Sequence, residues 1–225
     1  MKRNIPNSIT LGNLLCGFFA ILINDPMLSP LLVLFGALLD LFDGLAARKL
    51  NVSGEMGTQL DSFADMVNFT VAPAFLYFHH VLPAQNLWSY VVVSFLPVAG
   101  ALRLAKFNIS EEESSVFLGL ATPAAGMMIA FWVFAHANNS YGDILQNDIV
   151  NWGMPVLIGL LMVSPFKMFS FKGVKKNTHL HKGLIYLFLV SILVFSLIYW
   201  FAAVPLIILT YIVLSLIGHF AGLYD

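Results

Sequence analysis

The feature that most constrains this chain is a succession of apolar runs, each about as long as a bilayer is thick. A helix needs roughly 20 mostly apolar residues to cross a hydrocarbon core, and only helices and closed barrels satisfy their backbone polar groups in lipid. By that measure spans lie near Ile9–Ile23, Leu28–Ala47, Leu60–Val81, Leu87–Phe107, Leu118–His136, Val150–Phe166, Leu184–Trp200 and Val204–Phe220. Eight transmembrane helices are therefore expected, and the fold class is an all-α polytopic membrane protein. Composition agrees: 59% of the 225 residues are hydrophobic and 10% charged, against about 25% charged in soluble domains. The opening MKRNIPNSITLGNLLCGFFAILI has the charged start and apolar run of a signal peptide. No small-residue cleavage site follows it and further spans do, so it reads as the first span.

Cationic loops stay on the cytoplasmic side. Lys2 and Arg3 precede the first span, Arg48 and Lys49 follow the second, Arg103 and Lys106 end the fourth, and Lys167, Lys172, Lys175, Lys176 and Lys182 lie between the sixth and seventh. All eleven basic residues thus fall on one side. The opposite loops, NDPMLSP, HHVLPAQN and NNSYGDILQND, carry none. An even number of spans puts both termini in the cytoplasm, with the chain integral to the plasma (inner) membrane. The net charge of -1 argues neither way, but eleven basic residues scattered among apolar runs form no groove for a polyanion, so no nucleic-acid partner is expected. The single cysteine, Cys16, rules out an intramolecular disulfide and reads as a small buried hydrophobe.

Against this background the stretch DLFDGLAARKLNVSGEMGTQLDSFAD, Asp40 to Asp65, stands out. A carboxylate within a membrane helix costs about 2.5–3.5 kcal/mol on insertion scales, so such residues are rare and face polar cavities with a partner. Capping or snorkelling could account for one aspartate, not for four. Asp40 and Asp43 are three residues apart on the second span, and Gly44 and Ala47 continue their face. On the third span Gly57, Asp61 and Asp65 recur every four residues. Asn51, Ser53 and Gly54 break the chain between them, so the two acidic faces meet as a hairpin just inside the cytoplasmic end. Four converging carboxylates repel unless cations join them. Hard oxygen ligands suit Mg²⁺ or Mn²⁺, and paired metals are the recurring clamp for a phosphoryl group. Gly44, Ala47 and Gly57 leave room for a ligand, and Arg48 stands at the helix end where its fork can hold a phosphate.

The set Asp40, Asp43, Gly44, Ala47, Arg48, Gly57, Asp61 and Asp65 resembles, without departure, the signature of the CDP-alcohol phosphotransferase family. These membrane enzymes move a phospho-substituent from a CDP-linked donor to an alcohol. The resemblance implies a six-helix core, a site facing the cytoplasm, a homodimer and two divalent cations. By it Asp40, Asp43 and Asp61 are metal ligands, Asp65 is a ligand that also deprotonates the acceptor, Gly44 and Ala47 lie against the cytidine, and Arg48 lies near the diphosphate. The stretches NIPNSITLGNLLCG, LRLAKFN, FLGLATPAAG and LMVSPFKMFSFK resemble those members that use CDP-diacylglycerol as donor and L-serine as acceptor. This likeness covers residues 1–172, leaving the two spans within 183–221 as additions to the core of a single membrane domain.

A zwitterionic acceptor needs a cation for its carboxylate, and Arg103, Lys106 and Lys167 are the candidates; the same residues also fit as plain topology determinants touching lipid headgroups. Asn7, Thr10 and Asn13 form a polar stripe, three apart, at the cytoplasmic start of the first span. The stripe can bond the cytidine or phosphates of the donor, or serve only as an exposed helix start. Asn68, one turn beyond Asp65, can orient that carboxylate or make a helix–helix hydrogen bond. His79, His80 and His136 read as interfacial. His179 and His181 are too few for a metal site. Two alternatives stay open. Another acceptor on the same scaffold, glycerol 3-phosphate or inositol phosphate, calls for a richer cationic pocket. A cation or proton transporter calls for carboxylates reachable from both sides, and the non-cytoplasmic halves of the spans contain none.

Overall fold

The computed structural model describes residues 4–50, 52, 54–84, 86–109, 117–168 and 179–222. Lys2, Arg3, Asn51, Ser53, Lys172, Lys175, Lys176 and the side chains of His179, His181 and Lys182 lie outside the described residues.

Among the described residues the chain is helical almost throughout. Helix α1 (Asn4–Ile23) has Pro6 in its first turn, where the missing N–H is harmless. It ends at Asn24, whose left-handed φ of 47° turns the chain back. Asp25 then starts α2 (Leu28–Leu50): its Oδ1 accepts from the backbone N–H of Met27 at 2.9 Å and Leu28 at 2.7 Å. Those bonds hold the half-buried Asp25 carboxyl below the usual carboxylate range. Ser29 closes the turn by donating to the Ala20 carbonyl at 2.8 Å. The predicted third span is one continuous rod of three pieces: α3 (Glu55–Met66), a π-helical turn over Val67–Val71, and α4 (Ala72–His80).

Helix α5 (Leu87–Ile109) carries Pro97 inside it, and α6 (Thr122–Ala137), α7 (Asp148–Val163), α8 (His179–Tyr199) and α9 (Ala203–Phe220) complete the bundle. Four stretches are long and apolar enough to cross a membrane: Asn4–Ile23, Leu28–Leu50, Leu87–Ile109 and Gly183–Phe220, the last spanning both α8 and α9. Helices α6 and α7 are apolar but shorter. At 16 residues each they run only about 24 Å. The chain is an all-α, polytopic membrane protein.

Most expected span ends shift by a few residues, with the first, third and seventh spans starting earlier, at Asn4, Glu55 and His179, and two shifts have a clear local cause. The fifth span begins at Thr122 rather than Leu118, and the sixth stops at Val163 rather than Phe166. Between them runs a two-stranded antiparallel pair, β1 (Phe117–Leu118) with β2 (Lys167–Met168). The cause is local. Pro165 lacks an N–H and holds Ser164 extended, at ψ 153°, ending α7. Gly119, with φ 68°, donates its N–H to the Phe166 carbonyl, and Leu120 donates to Leu161, both at 2.9 Å. The backbone before α6 is therefore paired across the bundle rather than within a helix.

Helix α6 is the axis of the core, with Ala125, Met128, Ile129, Ala130, Phe131, Val133 and Ala135 all buried. It packs against α2, α4, the π-turn and α9. Outward-facing side chains such as Leu22, Leu87, Leu197 and Trp200 are large, apolar and exposed. Such a surface is stable in lipid and not in water.

The π-turn is gripped from four sides. A Cβ on Gly17 of α1 would lie 2.6 Å from the Asn68 Cα, and one on Gly126 of α6 would lie 2.5 Å from the Phe69 carbonyl oxygen. Gly36 of α2 and Gly100 of α5 leave similar space for the side chains of Asn68 and Thr70. Only glycine lets those backbones come so close.

Candidate active site

Helix periodicity brings the aspartates together as their spacing demands. Asp61 and Asp65 occupy consecutive turns of α3, and Asp40 and Asp43 lie near the end of α2. Carboxylate oxygens of Asp40, Asp61 and Asp65 lie within 4.8 Å of one another. Two charges at that distance repel by about 3–4 kcal/mol at the effective dielectric of a partly buried site. Asp65 is buried, and its Oδ1 has no hydrogen-bond partner among the described residues. An orphaned buried oxygen within an all-carboxylate set is the donor arrangement of a hard divalent cation.

Asp43 stands apart from that trio. It is buried, and its Oδ2 accepts from the hydroxyl of Thr10 on α1 at 2.6 Å. The Thr10 hydroxyl also lies 3.0 Å from the Pro6 carbonyl. Asp43 and Asp40 both line a cavity of about 270 Å³ that opens at the ends of α1, α2 and α3. Asn7, Thr10, Gly44, Ala47, Gly57 and Asp61 line it too. The glycines keep it open: a Cβ on Gly44 would meet nothing nearer than Arg48 Nη2 at 4.0 Å, and one on Gly57 nothing nearer than Asn7 Oδ1 at 3.5 Å. Arg48 is exposed beside the cavity and donates through Nε to the Gly44 carbonyl at 3.0 Å.

Asn13 sits elsewhere. It has no exposed surface, does not line the cavity, and its Oδ1 accepts from Asn68 Nδ2 at 2.8 Å. One turn along α1 takes the stripe from the cavity wall into the bundle. Asn68 likewise makes a helix–helix bond, donating also to the Val33 carbonyl at 3.2 Å.

Arg103 projects into the bundle from α5. Its Nη1 donates to the hydroxyl of Thr122 at 2.7 Å, its Nε is buried without a partner, and Asp65 lies within electrostatic range. Lys106 is exposed on α5 and Lys167 is half-buried in β2. Neither lines the cavity.

Sequence reading did not single out Pro6, Val52, Thr58 or Thr122. Thr58 stands one turn before Asp61, so helix arithmetic could have found it. Thr122 could not be found that way, because its tie to Arg103 crosses between helices.

An acidic cluster beside a cavity at the end of a helical membrane bundle is suited to metal-assisted transfer of a phospho-group. A family model described as CDP-alcohol phosphatidyltransferase matches residues 3–164, and the chain belongs to that family. It is 42% identical over 171 residues to the CDP-diacylglycerol–serine O-phosphatidyltransferase of Bacillus subtilis, covering 75% of this chain and 91% of that protein. The protein of the same name from Methanocaldococcus jannaschii is 34% identical over 188 residues, covering 84% and 81%. That of Helicobacter pylori strain J99 is 33% identical over 181 residues, covering 78% and 76%. Helices α8 and α9 lie beyond the residues that the family model matches.

Proposed function

We propose that this protein transfers the phosphatidyl group of CDP-diacylglycerol to the hydroxyl of L-serine, forming phosphatidylserine and CMP. The observation that carries the reading is the convergence of Asp40, Asp61 and Asp65 beside a cavity walled by Gly44, Ala47 and Gly57. The names of the relatives supply the acceptor.

Asp40, Asp43, Asp61 and Asp65 would hold two divalent cations, Mg²⁺ or Mn²⁺, which when bound neutralise the diphosphate oxygens and the charge developing on CMP. Asn7, Thr10, Gly44, Ala47 and Gly57 form the walls against which the cytidine and ribose lie, and Arg48 reaches the diphosphate from the rim. Asn13, buried behind that wall and bonded to Asn68, is assigned no contact with the nucleotide. The acyl chains stay in lipid while the headgroup enters between helices.

Serine enters from the cytoplasm. Arg103 receives its carboxylate, with Lys106 and Lys167 drawing it to the membrane surface. Asp65 takes the hydroxyl proton, and the serine oxygen attacks the phosphorus that bears diacylglycerol. A new phosphorus–oxygen bond forms, the bond to the CMP oxygen breaks, and CMP leaves. The protein acts as a homodimer in the inner membrane, with both termini and the site on the cytoplasmic side.

The test is CMP release from CDP-diacylglycerol by purified protein, with L-serine, glycerol 3-phosphate or inositol phosphate as acceptor and with or without excess EDTA. The reading expects turnover with serine alone, abolished by EDTA and restored by Mg²⁺ or Mn²⁺. Turnover only with a phosphorylated acceptor refutes serine, and full turnover in EDTA refutes the metal clamp.

A further inference from the structure

The strongest unused feature is a polar knot buried among α1, α2 and the π-turn. Asn68 Nδ2 donates to Asn13 Oδ1 at 2.8 Å and to the Val33 carbonyl at 3.2 Å. Both asparagines are wholly buried, yet Asn13 Nδ2 and Asn68 Oδ1 have no partner. A half-satisfied polar pair in an apolar interior is worse for stability than an apolar pair of the same shape. Its best-attested use is to fix register, since only one alignment of the helices lets the amides meet.

The alignment fixed here is that of the acidic site. On α1, Asn13 lies three residues past Thr10, the donor to Asp43. On α2, Val33 lies seven residues before Asp40, two turns along the same face. On the third rod, Asn68 lies three residues past Asp65. Each helix therefore carries at least one residue of the acidic site and, deeper in the bundle, one residue of the knot. Gly17 and Gly36 bring α1 and α2 against Asn68 closely enough for its bonds to form.

We propose that the Asn13–Asn68 pair is a register pin: these are positioning residues that hold three helices so that Asp40, Asp43, Asp61 and Asp65 converge to hold the divalent cations. The inference rests on the metal-site reading above and assigns the two asparagines no contact with substrate.

The test uses full-length protein in detergent or nanodiscs, with Mn²⁺ as the probe, read by electron paramagnetic resonance alongside thermal unfolding without metal. Asn13→Leu/Asn68→Leu replaces both amides by apolar groups of similar shape, and Asn13→Asp keeps an oxygen for Asn68 Nδ2. The pin predicts that the double leucine variant melts no lower than wild type without metal but binds Mn²⁺ about 10-fold more weakly or worse, the usual cost of losing a group that orients ligands. It predicts that Asn13→Asp binds within about twofold of wild type. A double leucine variant that binds Mn²⁺ as wild type does overturns the pin, and so does a joint loss of metal-free stability and Mn²⁺ affinity in both variants. Wild-type protein that binds no Mn²⁺ overturns the metal-site reading itself, and is distinguishable because it needs no variant.

Discussion

The hydroxyl of Thr10 donates to Asp43 Oδ2 at 2.6 Å, joining α1 to the acidic end of α2. The bond fixes which oxygen of Asp43 is engaged by protein and which is left for the cavity. Thr10→Val keeps the shape and removes the donor. It is expected to weaken Mn²⁺ binding about 10-fold, with Thr10→Ser close to wild type. Titration of both variants with Mn²⁺ checks this, and equal affinity in Thr10→Val would show that the bond is ornamental.

Substituting Asp65 separates the proposed base from the clamp. Asp65→Asn retains volume and one coordinating oxygen but cannot take a proton, and loss of a general base costs ~10²–10⁴ in rate. Donor binding should largely survive. Asp43→Asn should instead weaken metal binding and, with it, affinity for CDP-diacylglycerol. Turnover and metal-dependent donor binding are measured for both; near-normal turnover in Asp65→Asn would falsify the assignment.

Topology follows from the charges. In a Cys16→Ser background, a single cysteine at Lys175 should be labelled only once the cytoplasmic face is opened, because the Lys-rich stretch between α7 and α8 is expected on the cytoplasmic side. Labelling from outside intact cells contradicts this.

Gly126 and Gly44 should respond oppositely to alanine. A methyl at Gly126 would press the Phe69 carbonyl oxygen at 2.5 Å and Cα at 2.6 Å, and overpacking against backbone costs about 1–3 kcal/mol. Gly126→Ala should lower the melting temperature. Gly44→Ala, with nothing nearer than 4.0 Å, should melt as wild type but bind the donor more weakly, because it lines the cavity.

Asp25 offers a pH test away from the site. Its folded pKa is lowered, first by the N–H of Leu28 and then by that of Met27, so its contribution is present above the ordinary carboxylate pKa and fades as pH falls through the lower folded value. Asp25→Ala should cost about 0.5–2 kcal/mol at neutral pH, as for other helix caps. The gap between variant and wild type should close in acid. Melting curves from pH 7 down to about pH 3 decide it, and a gap constant across that range contradicts the cap.

The acidic site was legible because its information is local: Asp61 and Asp65 sit four apart, Asp40 and Asp43 three apart, and helical period alone sets their faces. Apolar runs placed the helices for the same reason. What escaped depends on groups far apart in the chain. Asn13 shares the period of Asn7 and Thr10, and only the arrival of Asn68 from another helix decides that it points inward. Thr122 acquires its meaning from Arg103. The β1–β2 pair is two residues long on each side, too short for any alternation to show, and depends on pairing across the intervening helices. No run of residues announces the π-turn, since Val67–Val71 reads as ordinary helix until four glycines on four other helices close round it.

That turn makes the third rod a shaft with two phases. One extra residue within a helix of 3.6 residues per turn rotates everything beyond it by about 100°. Ahead of the offset, Asp61 and Asp65 are timed to the cavity; behind it, α4 is timed to the core, where Leu76 and Tyr77 are wholly buried and Tyr77 donates to the Asn151 carbonyl at 3.0 Å. Deleting a single residue between Val67 and Val71 would put the two halves in step. The shaft could then aim its carboxylates or seat its apolar end, but not both.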